Sequence, residues 1–195
     1  MSLTKSAPSV SLEKKGGSLG EIKVNLNWNQ GTKKGLLGSM FGPKAIDLDL
    51  CCLYEMMDGE AFGVQALGNN FGRYNGRPWI ELSGDDRSGA VSDGEWLRIN
   101  GDQWSNIRRV LVFAMIYEGV PNWSATDGVV RILAPNQPEI EVKLEGTGQE
   151  RICAVAMFEN EGGNFKITRE NRYFQGAPMM GNTYRFPISW GVGRK

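Results

Sequence analysis

Ile46-Asp-Leu-Asp-Leu-Cys-Cys52 is the stretch on which the fold turns. Apolar Ile46, Leu48, Leu50 and Cys52 alternate with Asp47, Asp49 and Cys51, the period of two that sends successive side chains to opposite faces of a strand. The same alternation recurs in Ile22, Val24, Leu26 and Trp28, in Ile140, Val142 and Leu144, and in Tyr184, Phe186 and Ile188. Val110-Leu-Val-Phe-Ala-Met-Ile-Tyr117 is apolar at nearly every position, as a central strand covered on both faces requires. Residues 152–158 and 164–168 flank Glu159-Asn-Glu-Gly-Gly163, a hairpin connection. Pro78 and Pro187 are read at strand starts or edges, where a missing N–H is tolerated. Helical period is scarce. The pattern predicts an all-β fold, an antiparallel β-sandwich of about ten short strands with long Gly/Asp-rich loops.

Composition narrows the chemistry. The chain of 195 residues suits one domain over 1–195, and its 26 glycines are nearly twice the ordinary share of about 7%. It contains no His, which excludes a Ser-His-Asp triad, a Cys-His dyad and any imidazole zinc site. Lys and Arg number 22 against 22 Asp and Glu, so a broad nucleic-acid footprint is not expected. Three cysteines, two of them adjacent, do not make a secreted disulfide framework. No signal-peptide pattern and no membrane-length apolar run is present, so the expected location is cytoplasmic.

One segment stands apart in composition. Gln30-Gly-Thr-Lys-Lys-Gly-Leu-Leu-Gly-Ser-Met-Phe-Gly-Pro-Lys44 is basic and Gly-rich with an apolar centre, and is read as a loop insertion over 30–45. It is either a solvated insertion or a partner or lipid contact through Leu36, Leu37, Met40 and Phe41.

Two acidic stretches carry what chemistry the residues offer. Asp47 and Asp49 share one face of their strand, with Cβ atoms about 6–7 Å apart, and repel unless a cation or donors intervene. Gly84-Asp-Asp-Arg-Ser-Gly-Ala-Val-Ser-Asp-Gly-Glu95 adds four carboxylates, two Ser and three Gly in twelve positions. Carboxylates and carbonyls without nitrogen or sulfur ligands suit a hard cation, and an irregular loop suits calcium better than the stricter octahedron of magnesium. The same residues also build ordinary solvated turns, and neither stretch fits the helix-loop-helix calcium template.

Other features point to packing. Cys51 and Cys52 face opposite ways and cannot chelate one centre, while Cys52 and Cys153 read as core. Trp79, Trp96, Trp104 and Trp123 are either a sugar-binding face or core anchors. The acids cluster in loops rather than facing each other across a cleft, so a non-enzymatic protein is expected. Glu170-Asn-Arg-Tyr-Phe-Gln-Gly176 is similar to a viral protease recognition sequence and is read as strand and turn.

The chain resembles the tellurium-resistance TerD/TerA family of bacterial stress proteins. The resemblance rests on Val10-Ser-Leu-Glu-Lys-Lys-Gly17, Ile22-Lys-Val-Asn-Leu-Asn-Trp28, Ile46-Asp-Leu-Asp-Leu50, Gly68-Asn-Asn70 and the loop Gly84-Asp-Asp-Arg-Ser-Gly89 through Asp93-Gly-Glu95. It implies a β-sandwich whose loops bind one or two calcium ions. It also implies a stress-response role, with partners among other tellurium-resistance proteins, including membrane-bound ones, and a place in the cytoplasm or at the inner face of the membrane. Asp47 and Asp49 match the family's strand ligands, Asp85 and Asp86 its loop opening, Asp93 and Glu95 its loop close, and Asn70 an Asn near the same site. Ala90-Val-Ser92 replaces the middle of a longer acidic loop, which bears on a second ion more than on the first. The insertion over 30–45 is closer to the TerA branch. The rival reading is a calcium-dependent carbohydrate- or lipid-binding β-sandwich.

Overall fold

The computed structural model describes residues 3, 9–12, 19–28, 46–83, 94–119 and 121–191. Among these are twelve strands: β1 (Ser9–Leu12), β2 (Glu21–Asn27), β3 (Asp47–Met56), β4 (Ala61–Val64), β5 (Gly72–Arg73), β6 (Ile80–Ser83), β7 (Glu95–Asn100), β8 (Ile107–Glu118), β9 (Val129–Leu133), β10 (Ile140–Lys143), β11 (Ile152–Glu161) and β12 (Asn164–Phe174), followed by one α-helix, α1 (Ala177–Thr183). They form two six-stranded sheets, β1-β12-β11-β8-β3-β4 and β10-β9-β2-β7-β6-β5, antiparallel throughout. The sandwich expected from the alternation is thus observed. Its strands are not uniformly short, since β3, β8, β11 and β12 run for 10, 12, 10 and 11 residues.

The alternation locates the core. Ile22, Val24 and Leu26 of β2 and Leu97 and Ile99 of β7 meet Leu48, Leu50 and Cys52 of β3 and Val110, Val112 and Ala114 of β8 in one buried cluster. Burial of this kind contributes about 25 cal/mol per Å² of apolar surface. Trp104, in the 3₁₀ turn between β7 and β8, is fully buried, lies 4.0 Å from the Phe165 ring centroid and donates through Nε1 to the Asn164 carbonyl at 3.3 Å. Trp123 is also fully buried and donates to the Glu150 carbonyl at 2.8 Å. These two tryptophans are core anchors and do not belong to a sugar-binding face.

The first sheet is buried on its outer face too. Cys51 and Leu53 of β3, Leu111 and Phe113 of β8 and Met157 of β11 form a second cluster with Phe174, Met180 and Phe186. Cys51 and Cys52 therefore face opposite ways, as adjacent strand residues must, and all three cysteines are free and buried.

Two local expectations are corrected. Tyr184, Phe186 and Ile188 do not form a strand. They follow α1 in an irregular segment folded over the outer face of the first sheet, where their alternation serves packing rather than pairing. Pro78 lies in the turn ahead of β6 and Pro187 in that C-terminal segment, neither in a strand. The Glu159–Gly163 hairpin is observed in tighter form, β11 reaching Glu161 and β12 starting at Asn164. The insertion over 30–45 lies outside the described residues.

Trp104→Ala removes one of the two buried tryptophan rings of the inter-sheet core together with its hydrogen bond. Urea denaturation should show a loss of about 3–5 kcal/mol.

Candidate functional site

The candidate site forms where β3 outruns β4. β4 pairs only with Cys52 to Glu55, so among the described residues the stretch from Asp47 to Cys51 has β8 on one side and no strand on the other. An exposed ladder edge has to be satisfied by another group. Here the Leu50 N–H donates to Oε2 of Glu95 at 2.5 Å. Glu95 opens β7 in the opposite sheet, so its carboxylate bridges the two layers. The backbone around it is closely fitted. Gly94 has φ of 68°, and a Cβ there would run into the Leu26 carbonyl. Asn25 Nδ2, itself buried, donates to the Glu95 carbonyl at 3.2 Å.

Asp49 and Glu95 are 6% and 2% exposed, an unusual state for carboxylates. Both act on the Cys51 thiol, which burial first, and then their negative charge, push well up from its ordinary pKa. Asp47 begins the same strand and stands across the ladder from Glu118, with a register shift between Asp47 and Leu48. Like charges directly opposite on a sheet are unfavourable, so this end gathers negative charge at a cost.

Asn70 belongs to the same end. β4 runs toward the start of β3, and just beyond it the Gln65 N–H donates to the Asn70 carbonyl at 2.9 Å. The Asn70 amide nitrogen donates to Gly63 O, which leaves Oδ1 as its ligand-type atom. Trp28 Nε1 donates to the Ile46 carbonyl at 3.3 Å and ties together the residues that flank 29–45. Ser83 is in register with Trp96, so the chain leaves β6 and re-enters β7 beside Glu95.

Of the seven ligands expected from the sequence, Asp47, Asp49, Asn70 and Glu95 are at one end of the sandwich. Asp85, Asp86 and Asp93 lie outside the described residues. Among the described residues alone, no three acidic or cysteine side chains converge as a ready metal-binding group. Three contributors were missed by sequence reasoning: Asn25, Gly94 and Glu118. Gly94 carried a legible signal, a glycine immediately before a strand-opening acid; Asn25 and Glu118 show their role only through register. The donors gathered here are oxygens, and the nearby Cys51 thiol is held protonated, so the arrangement suits a hard cation and not thiolate chemistry.

The chain is 49% identical over 198 aligned residues, its whole length, to the Tellurium resistance protein TerA of Alcaligenes sp., and it spans 58% of that protein. The fold matches the crystal structure of a homologue of telluride resistance protein TerD from Streptomyces coelicolor A3(2), with TM-score 0.62, 19% identity and coverage of 84% of this chain and 95% of that one. It also matches the crystal structure of SAV2460, a protein of unknown function, with TM-score 0.63, 14% identity and coverage of 84% and 95%. No family model matches the chain.

Gly94→Ala forces a Cβ against the Leu26 carbonyl at a left-handed backbone position. It should lower unfolding stability by about 1–3 kcal/mol, measured by chemical denaturation, and loosen the Glu95 bridge.

Proposed function

We propose that this chain, which belongs to the tellurium-resistance TerD/TerA family, is a calcium-binding, non-enzymatic stress-response protein. Its acidic end would hold one or two calcium ions through Asp47, Asp49, Asn70 and Glu95, joined by Asp85, Asp86 and Asp93. The observation that carries the reading is the pair of buried carboxylates, Asp49 and Glu95, supplied by opposite sheets at one open strand edge. Burying carboxylate charge is costly unless donors or a cation compensate it. The donor set fits: it consists of oxygens, and Ser83 and Gly94, which flank the acidic segment 84–93 in sequence, stand beside Trp96 and Glu95.

When bound, calcium supplies positive charge that neutralises these acids. The protein's own residues do the rest. Glu95 keeps β7 fastened to β3 through the Leu50 N–H, and Gly94 and Asn25 hold Glu95 in place. Such a site acts as a fastener between layers or as a switch for partner binding. The partners would be other tellurium-resistance proteins, including membrane-bound ones, met in the cytoplasm or at the inner face of the membrane. No helix among the described residues is long and apolar enough to cross a membrane.

Calorimetric titration of chelator-stripped protein tests the reading, with magnesium as the control. Saturable calcium binding is expected, weakened at least tenfold in Asp49→Asn, together with about 2.7 kcal/mol of added stability at a hundredfold excess over Kd. Absence of calcium uptake by the intact chain would overturn it.

A further inference from the structure

The outer face of the first sheet is closed by a hook over residues 177–191: α1, a turn at Tyr184 and Arg185, and a return that lays Trp190 against Gly181. A Cβ on Gly181 would run into the Trp190 ring, so the hook closes on itself only with glycine there. Met180 and Phe186 are fully or nearly fully buried in the cluster that holds Cys51, Leu53 and Phe113.

Its attachment differs in kind from that of the strands. Among the described residues, the backbone bonds along the hook close within it or at its root, as in Met180 N to Gly176 O at 3.2 Å, Tyr184 N to Met180 O at 3.0 Å and Phe186 N to Gly181 O at 2.9 Å. The polar ties to the sheet are made by side chains. Arg109 of β8 donates through Nη1 to the Tyr184 carbonyl and through Nη2 to the Arg185 carbonyl, each at 2.8 Å, and its guanidinium carbon sits 4.2 Å from the Phe186 ring centroid. Arg109 is itself oriented by the buried carboxylate of Glu55, Nε to Oε2 at 2.7 Å. The Tyr184 hydroxyl adds one bond to Glu170 Oε2 at 2.7 Å. Arg185, whose carbonyl the guanidinium holds, has φ of 54°, a conformation that side chains other than glycine rarely adopt.

We infer that residues 177–191 are a latched cover that opens as a unit while both sheets remain paired, with Arg109 as the latch. Opening breaks no strand ladder; it costs the Arg109 fork, the ties of Tyr184 to Glu170, Arg172 and the Phe174 ring, and the apolar contacts of Met180, Phe186, Ile188 and Trp190 with the outer cluster. Elements held this way open by local rather than global unfolding. What opening uncovers is specific. Cys51 belongs to the outer cluster beneath the hook, whereas Cys52 and Cys153 belong to the core between the sheets. Cover opening therefore frees one thiol, and global unfolding frees three.

Thiol labelling of the intact chain under native conditions with an aromatic disulfide reagent, followed by peptide mass mapping, tests this directly. The expected result is slow labelling confined to Cys51. Arg109→Ala should accelerate it about tenfold or more, as loss of charge-assisted hydrogen bonds implies, with Cys52 and Cys153 unchanged. Arg109→Lys keeps the charge but not the fork and should fall between. Should Arg109→Ala fail to fold, Tyr184→Phe, which loses the hydroxyl's bonds to Glu170 and Arg172 but keeps the ring, should still raise the Cys51 rate several-fold. Reaction of all three thiols at one common rate, or a Cys51 rate that none of these variants changes, would overturn the inference.

Discussion

The first sheet is buried on both faces, and most of the architecture follows from that constraint. β3, β8 and β11 each send alternate residues into the inter-sheet core and the others into the outer cluster. A strand of this kind cannot carry polar residues along its middle, because each would be buried without water. Charge is accordingly pushed to strand ends: Asp47, Asp49 and Glu118 at one end of the β3–β8 pair, Glu55 and Arg109 at the other. The latter two solve their own burial by pairing, Arg109 Nη2 lying 2.7 Å from Glu55 Oε2, with Arg108 3.2 Å from Oε1.

The second sheet obeys the opposite rule and needs no cover. Its outer face carries Lys23, Arg98 and Glu81 in register across β2, β7 and β6, and Arg131 beside Glu141 across β9 and β10. Arg98 pairs with Glu21 at 2.5 Å and Glu81 at 3.1 Å, and Arg131 with Glu139 at 3.3 Å and Glu141 at 3.5 Å. Partly exposed pairs of this sort contribute about 0–1 kcal/mol each, so they keep the face wetted and in register more than they fasten it. These pairs serve the solvated face, while cohesion between layers comes from apolar burial and the Glu95 bridge.

The difference between the two sheets explains what could be read from residues alone. Strands of the second sheet alternate apolar with polar, and Ile22 to Leu26 and Ile140 to Leu144 were legible at once. Residues 110–117 were equally legible as doubly covered. What covered them was not, because the cover is a helix of seven residues followed by an irregular segment whose apolar period imitates a strand. Tyr184, Phe186 and Ile188 show why: alternation records which side chains are buried, not whether the backbone is paired. The shared end of Asp47, Asp49 and Glu95 could be anticipated, since all sit at or next to strand starts in a sequence of antiparallel strands. The Leu50–Glu95 bond could not, because it depends on β4 being too short to reach Leu50, and edge lengths are set by three-dimensional register rather than local pattern.

The outer face of β3 joins these themes in one row. From Asp47 and Asp49 it passes through Cys51 and Leu53 to Glu55, so acids flank two buried apolar residues on a single rigid strand. At the first end the strand has, among the described residues, β8 alone as a ladder partner and is held to the other layer by Glu95. At the second it holds, through Arg109, the segment that covers its own middle. The Cys51 thiol lies between them, and burial first, then the negative charge of Asp49 and Glu95, push its pKa well up. A strand with its termini assigned to separate polar tasks and its centre to packing needs no polar group in the interior of its sheet. The same division accounts for the gathering of the candidate site's acids at a sandwich end rather than on either face.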